Sequence, residues 1–177
     1  MKRRYSIHKI AFLSVMLALA IVLGYVESFI PTWIPGVRLG LANLVVLILL
    51  YSCPFYEAFI ISILRVFIVA LLRGTIFQMP FYMSLAGAVC SYLIMCLAYF
   101  LFEKKLHFLT IYGVSLLGAF IHSLAQVAVA AIFVEHGFTT FYYFPFIVLF
   151  SMASGLLTSF LADRLLLSEP IKNIKNN

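Results

Sequence analysis

Apolar residues run through this chain in long blocks separated by short polar breaks, without the strict two-residue alternation of a membrane β-strand. About 20 apolar residues in a helix cross a hydrocarbon core of about 30 Å. On that rule the pattern predicts six helical spans, at 7–26, 39–53, 55–72, 79–102, 109–134 and 141–167. The second is short, and its separation from the third rests on Ser52-Cys53-Pro54, where proline stops a helix. The fold expected is an all-α integral membrane protein, a six-transmembrane-helix bundle. A single membrane domain would cover 1–177, with a basic N-terminal segment at 1–9 and a polar tail at 168–177.

Composition agrees with this picture. The chain has 177 residues, of which 65% are hydrophobic and only 10% charged, with a mean hydropathy of +1.14; soluble domains carry about 25% charged residues. The first apolar run is not a cleaved signal peptide alone, because equally apolar runs follow it. The net charge of +6 would suggest nucleic acid were it not so clearly placed. Lys2, Arg3, Arg4 and Lys9 precede the first span, Lys104 and Lys105 sit between spans, and Lys172 and Lys175 lie in the tail. Basic residues gather in cytoplasmic loops, so these clusters predict a multi-pass protein of the cell membrane with both termini cytoplasmic. Membrane lipid, not nucleic acid, is then its surrounding partner. Cys53, Cys90 and Cys96 have neither disulfide-framework nor metal-ligand spacing and read as buried thiols.

The polar residues that violate the apolar pattern carry the functional signal. Between the first two spans, the segment from Glu27 to Asn43 holds an acid, an arginine, an asparagine, two prolines and two glycines. Arg38 and Arg73 fall at the outer ends of spans two and three, and Arg65 lies near the middle of span three. An arginine inside a membrane costs about 2.5–3.5 kcal/mol even on the lenient insertion scale, so it needs a carboxylate, a water-filled cavity or an anionic ligand. Glu27 or Glu57 would serve as ion-pair partner for Arg65, while Arg38 and Arg73 either snorkel to headgroups or face a ligand. His122 and Gln126 are four apart and share one helical face, with Gly118 extending the row. They are either interhelical hydrogen-bond glue or ligand contacts. Gln78 lies at the outer start of span four, and Trp33 in the first loop is either part of an aromatic belt or a stacking surface.

Because these groups fall between the midplane and the outer surface, they predict one outward-side pocket. Its substrate-binding residues would be Glu27, Trp33, Arg38, Asn43, Arg65, Arg73, Gln78, His122 and Gln126. The arginines would meet a small anionic molecule, with the first loop as lid. Small residues at Ala11, Ser14 and Ala18 in span one, and at Ser151, Gly155 and Ser159 in span six, permit close helix approach within the chain or to a partner.

Catalytic signatures are thin. The chain has no His-Glu-x-x-His, Cys-x-x-Cys or phosphate-cradling glycine loop. Its one aspartate, Asp163, cannot form the Asp-rich clusters with which prenyl-diphosphate synthases hold magnesium. No catalytic residue, metal site or cofactor is expected.

Several strings carry a family resemblance. They are Glu27-Ser28-x-Ile30-Pro31, Pro35-Gly36-Val37-Arg38-Leu39-Gly40-Leu41-Ala42-Asn43, Glu57-Ala58 followed by Arg65-Val66, Ser84-Leu85-Ala86-Gly87, and Gly118-Ala119-x-x-His122-x-x-x-Gln126. Over about residues 10 to 165 the chain resembles the bacterial Gx transporter family, often labelled heptaprenyl diphosphate synthase component I. More distantly it is similar to the substrate-binding S components of energy-coupling factor (ECF) transporters. That resemblance implies an S-component-like bundle holding a small-molecule substrate under the first loop. It also implies docking on a transmembrane T component driven by ATPases, through span one. The S-component row usually pairs alanines, whereas here the i, i+4 pair is Ser14 and Ala18. A different expectation is an accessory protein of isoprenoid or quinone metabolism that binds a prenyl diphosphate or quinone.

Overall fold

A computed structural model of the protein describes residues 7–28, 40–101, 110–133 and 144–167. Among them are six helices and no strand: α1 (Ile7–Glu27), α2 (Leu41–Ser52), α3 (Phe55–Leu72), α4 (Met79–Ala98), α5 (Ile111–Phe133) and α6 (Phe144–Leu166). Five are long and apolar enough to cross a membrane, the exception being α2. Their outward faces are apolar, with Val15 and Val22 on α1, Leu93 and Leu97 on α4, and Phe150 and Leu157 on α6 all exposed. This is a membrane-embedded helical protein. Trp33 and Arg38, the tail at 168–177 and most of the first loop lie outside the described residues.

The second span is where the fold departs most from the sequence pattern. With 12 residues, α2 is about 18 Å long at 1.5 Å per residue, well short of the hydrocarbon core. It stays apolar because protein covers it: every residue from Leu44 to Leu50 is buried. Helices α1, α3 and α6 pack around it, and α4 and α5 close the ring through α3·α4, α4·α5 and α5·α6 contacts. A helix surrounded by protein need not span the bilayer alone, because its ends can be satisfied by neighbouring side chains.

Local chemistry sets the element ends. Gly40 opens α2 at φ 71°, a left-handed conformation that favours glycine, and so delays the start expected at residue 39. Cys53, forced extended before Pro54, closes α2 at φ −130°, ψ 164°. Gly74, at φ 64°, ends α3. Its N–H reaches the Leu71 carbonyl at 3.1 Å, and Thr75 N–H reaches the Ala70 carbonyl at 2.9 Å, the paired bonds of a Schellman stop. Pro80 in the first turn of α4 sits where a missing N–H does no harm.

In lipid, helices associate by close packing and interhelical hydrogen bonds more than by the hydrophobic effect. The α5–α6 pair shows both. A Cβ on Gly155 would stand 2.9 Å from Ala119 Cβ, so the two backbones touch there. Ser151 Oγ donates to the Ala119 carbonyl at 2.8 Å, and Ser115 Oγ to the Gly155 carbonyl at 2.8 Å. The Ser151/Gly155/Ser159 row therefore packs within the chain, all three residues being buried. Ala11, Ser14 and Ala18 on α1 are exposed instead.

Candidate functional site

At one end of the bundle α1 and α3 finish while α2 and α4 begin, and a polar cavity opens between them. Its wall combines Glu27 from α1, Gly40 and Asn43 from α2, Arg65 and Arg73 from α3, Thr75 from the connection, Ser84 from α4 and His122 from α5. The cavity measures about 50 Å³, room for a few waters or an oxyanion-sized group.

The hydrogen bonds explain why these residues converge. Glu27, buried at the last turn of α1, accepts a hydrogen bond from Gly40 N–H at 2.5 Å. Its carboxylate thereby caps α2, which has no side-chain cap of its own. Asn43 follows in the first turn, its N–H bonded to the Gly40 carbonyl at 2.8 Å. Its Oδ1 accepts from Arg65 Nη2 at 2.9 Å, a charge-assisted bond. Arg65 is only 6% exposed and sits in mid-helix, so its guanidinium is held deep in the protein, with Asn43 among its partners. Glu57, the other expected partner, pairs elsewhere. Its Oε1 lies 2.7 Å from Lys9 Nζ and accepts from Tyr56 OH at 3.0 Å, at the opposite end of the bundle.

His122 enters from α5 and is buried. Its ring occupies the space over Gly87 of α4, where a Cβ would stand 2.7 Å from Cε1 and 2.9 Å from Nδ1. Gly87 thus lets the imidazole reach the cavity wall. One turn deeper, Gly118 receives the Met95 side chain in the same manner, with Cγ 2.6 Å from the position of an added Cβ.

Two helix N-termini, those of α2 and α4, and two C-termini, those of α1 and α3, contribute residues to the wall, so their opposite partial charges largely offset one another. Arg65, buried, and Arg73, exposed at the α3 cap, outnumber the Glu27 carboxylate, which gives the side chains of the wall a net positive charge.

The structure brings Glu27, Asn43, Arg65, Arg73 and His122 together. Gln78 and Gln126 are placed outside the cavity wall. Gln78 is exposed at the N-cap of α4, its Nε2 3.4 Å from the Gly74 carbonyl. Gln126 is buried one turn from His122, on the face of α5 that packs in the bundle. Sequence reasoning singled out neither Thr75 nor Ser84 as a site residue. A lone hydroxyl in an apolar helix gives little signal, and Ser84 also bonds back to the Pro80 carbonyl at 2.6 Å.

The fold and site define a multi-helix membrane protein with a positively biased cavity at one end. Residues 16–165 match the family described as heptaprenyl diphosphate synthase component I, and the chain belongs to that family. No curated protein and no solved structure matches it.

Proposed function

We propose that this protein is a substrate-binding membrane subunit of ECF S-component type, holding a small anionic molecule in the cavity at Arg65. The observation that carries the reading is the buried Arg65–Asn43 pair on the cavity wall. A cation this deep is expensive, and a guanidinium is weakly hydrated and rich in donors, so an anion entering the cavity meets a strong partner there. His122 and Asn43 orient the ligand by hydrogen bonds. In this reading the protein lies in a bacterial cell membrane with both termini cytoplasmic, the cavity faces outward, and α2 completes a six-segment bundle with the first loop as lid.

The exposed Ala11, Ser14 and Ala18 face of α1 is the proposed docking surface for a T component and its ATPases. In this reading the function is binding and not condensation: the cavity wall supplies guanidiniums, an amide, an imidazole and the one carboxylate of Glu27, and the chain's single aspartate lies in α6.

The family description supports a second reading, an accessory protein that binds a prenyl diphosphate or quinone in isoprenoid or quinone metabolism. Mass spectrometry of molecules co-purified with the protein separates the two, since a prenyl chain favours the accessory role and a water-soluble anion favours uptake. The main reading is tested by a ligand screen in which anions raise the melting temperature. Arg65→Ala and His122→Ala should abolish that response; folded mutants with wild-type affinity would overturn the assignment. Ser14→Leu with Ala18→Leu should prevent co-purification of T component and ATPases, and unchanged recovery would remove α1 as the docking face.

A further inference from the structure

Deeper in the bundle a second void adjoins the cavity. It shares Gly40, Asn43 and His122 with the cavity wall and is otherwise lined by Met95 and by hydroxyls of α5 and α6. At about 10 Å³ it admits a single water-sized group.

Its hydrogen-bonding capacity can be counted. Ser115 and Thr158 both donate to the Gly155 carbonyl, at 2.8 and 3.0 Å, and Ser151 donates to the Ala119 carbonyl at 2.8 Å. These three protons are committed, but the oxygens can still accept. Ser154 differs. It is 7% exposed, and its Oγ has no hydrogen-bond partner among the described residues. It lies 3.9 Å from where a Cβ on Gly40 would stand, and Asn43 Nδ2 lies 3.6 Å from the same point. The chamber therefore offers an uncommitted O–H donor at Ser154 alongside hydroxyl oxygens able to accept. Its complement is an oxygen that both donates and accepts, which is a water or a ligand hydroxyl.

We propose that the bound molecule is a hydroxylated anion, its charged group at Arg65 and its hydroxyl in the chamber on Ser154. This rests on the anion-binding reading above. Asn43 lines both subsites, its Oδ1 held by Arg65 and its Nδ2 beside Gly40. A hydroxyl carried on the anion reaches the chamber past Asn43 and His122, and satisfies an otherwise unpaired buried group.

The test is binding of matched probes to the purified full chain by calorimetry: acetate and glycolate, propionate and lactate, ethyl phosphate and 2-hydroxyethyl phosphate. In at least one pair the hydroxylated member should bind about tenfold tighter, the discrimination expected of one buried hydrogen bond. Ser154→Ala should erase that advantage and leave the affinity for the plain member within about twofold. Ser159→Ala, whose hydroxyl donates to the Leu156 carbonyl of the same helix away from the chamber lining, should retain it. If Ser154→Ala does not fold, Ser154→Cys, close in size and a weaker donor, should reduce the advantage. Equal binding within every pair, or an advantage that survives in the Ser154 variant, overturns the proposal. The chamber then holds water only, and the anion site stands. Failure of all six probes to bind removes the anion site and the hydroxyl subsite with it.

Discussion

Gly87→Ala is the sharpest probe of how the cavity is built. The added Cβ would meet the His122 ring at 2.7, 2.9 and 3.1 Å, against an ordinary contact of 3.4 Å or more. The ring edge would have to retreat by about 0.7 Å from its seat on α4, toward the two voids it lines. Overpacking of this kind costs about 1–3 kcal/mol. The better helix propensity of alanine offsets about 1 kcal/mol of it. A net loss of about 0–2 kcal/mol follows, together with a displaced imidazole and weaker ligand response. The assay is thermal unfolding of wild type, Gly87→Ala, His122→Ala and the double mutant. The clash requires the ring, so Gly87→Ala should be destabilising in wild type and neutral or stabilising in the His122→Ala background. An equal effect of Gly87→Ala in both backgrounds would refute the placement of His122 over Gly87. Gly118→Ala is the informative contrast. Its obstacle is the flexible Met95 side chain, which can re-route at lower cost than a ring can move.

Other outcomes follow from groups outside the cavity. Glu57 is 5% exposed and Lys9 27%, and leaving one member of a buried pair alone costs up to about 3–5 kcal/mol. Lys9→Met should therefore lower stability clearly, and the exchange Lys9→Glu/Glu57→Lys should recover much of the loss in a denaturation series; no recovery would show that the pair is not the cause. Burial, reinforced by the Glu57 carboxylate, pushes the Cys53 thiol in the α2–α3 link up to about 11 from 9.0. Because only the thiolate reacts, its fraction at pH 8 falls from about a tenth to about a thousandth. Maleimide labelling of a Cys90→Ser/Cys96→Ser protein should be slow at pH 8 and rise through pH 11; labelling at a free-thiol rate at pH 8 would contradict this. Tyr92→Phe removes the hydrogen bond from Tyr92 OH to the Phe55 carbonyl and should lower stability by about 1 kcal/mol, an effect absent if that bond does not form.

Much of the helical frame was legible because apolar length and helix stops are local signals. The third span, expected at 55–72, is α3 at Phe55–Leu72, bounded by Pro54 and by the glycine stop at Gly74. Hydropathy alone could not show that α2 starts at a left-handed glycine and is shortened by burial on all sides. In the site, charge at depth was legible: Arg65 and Asn43 stand out in any apolar run, and the structure joins them. The partner of each was not legible, because pairing depends on which helices face one another. Glu57 went to Lys9, 48 residues away, and His122 to the space over Gly87. Serines were the least readable. Ser84, Ser91 and Ser159 bond to carbonyls of their own helices, whereas Ser115 and Ser151 bond across to a neighbour. Nothing in the sequence around Ser154 separates it from either group.

The helix least embedded in the bundle is also one of those that frame the cavity. Only 17% of the α1 span is buried, compared with 28–39% for the other four, and Ala20 and Glu27 are its buried residues. Polar contacts hold it at both ends, with Lys9 on Glu57 at one and Glu27 on Gly40 at the other. The apolar face between them presents Ala11, Ser14 and Ala18 outward. Small side chains leave little surface for dispersion contacts with lipid but let another helix backbone approach closely. Any shift of α1 along α2 must move Glu27 against Gly40, the residue that opens α2 and borders both the cavity and the hydroxyl chamber. The exposed face of α1 and the Glu27 carboxylate that caps α2 therefore belong to one helix, the least buried of the five long spans.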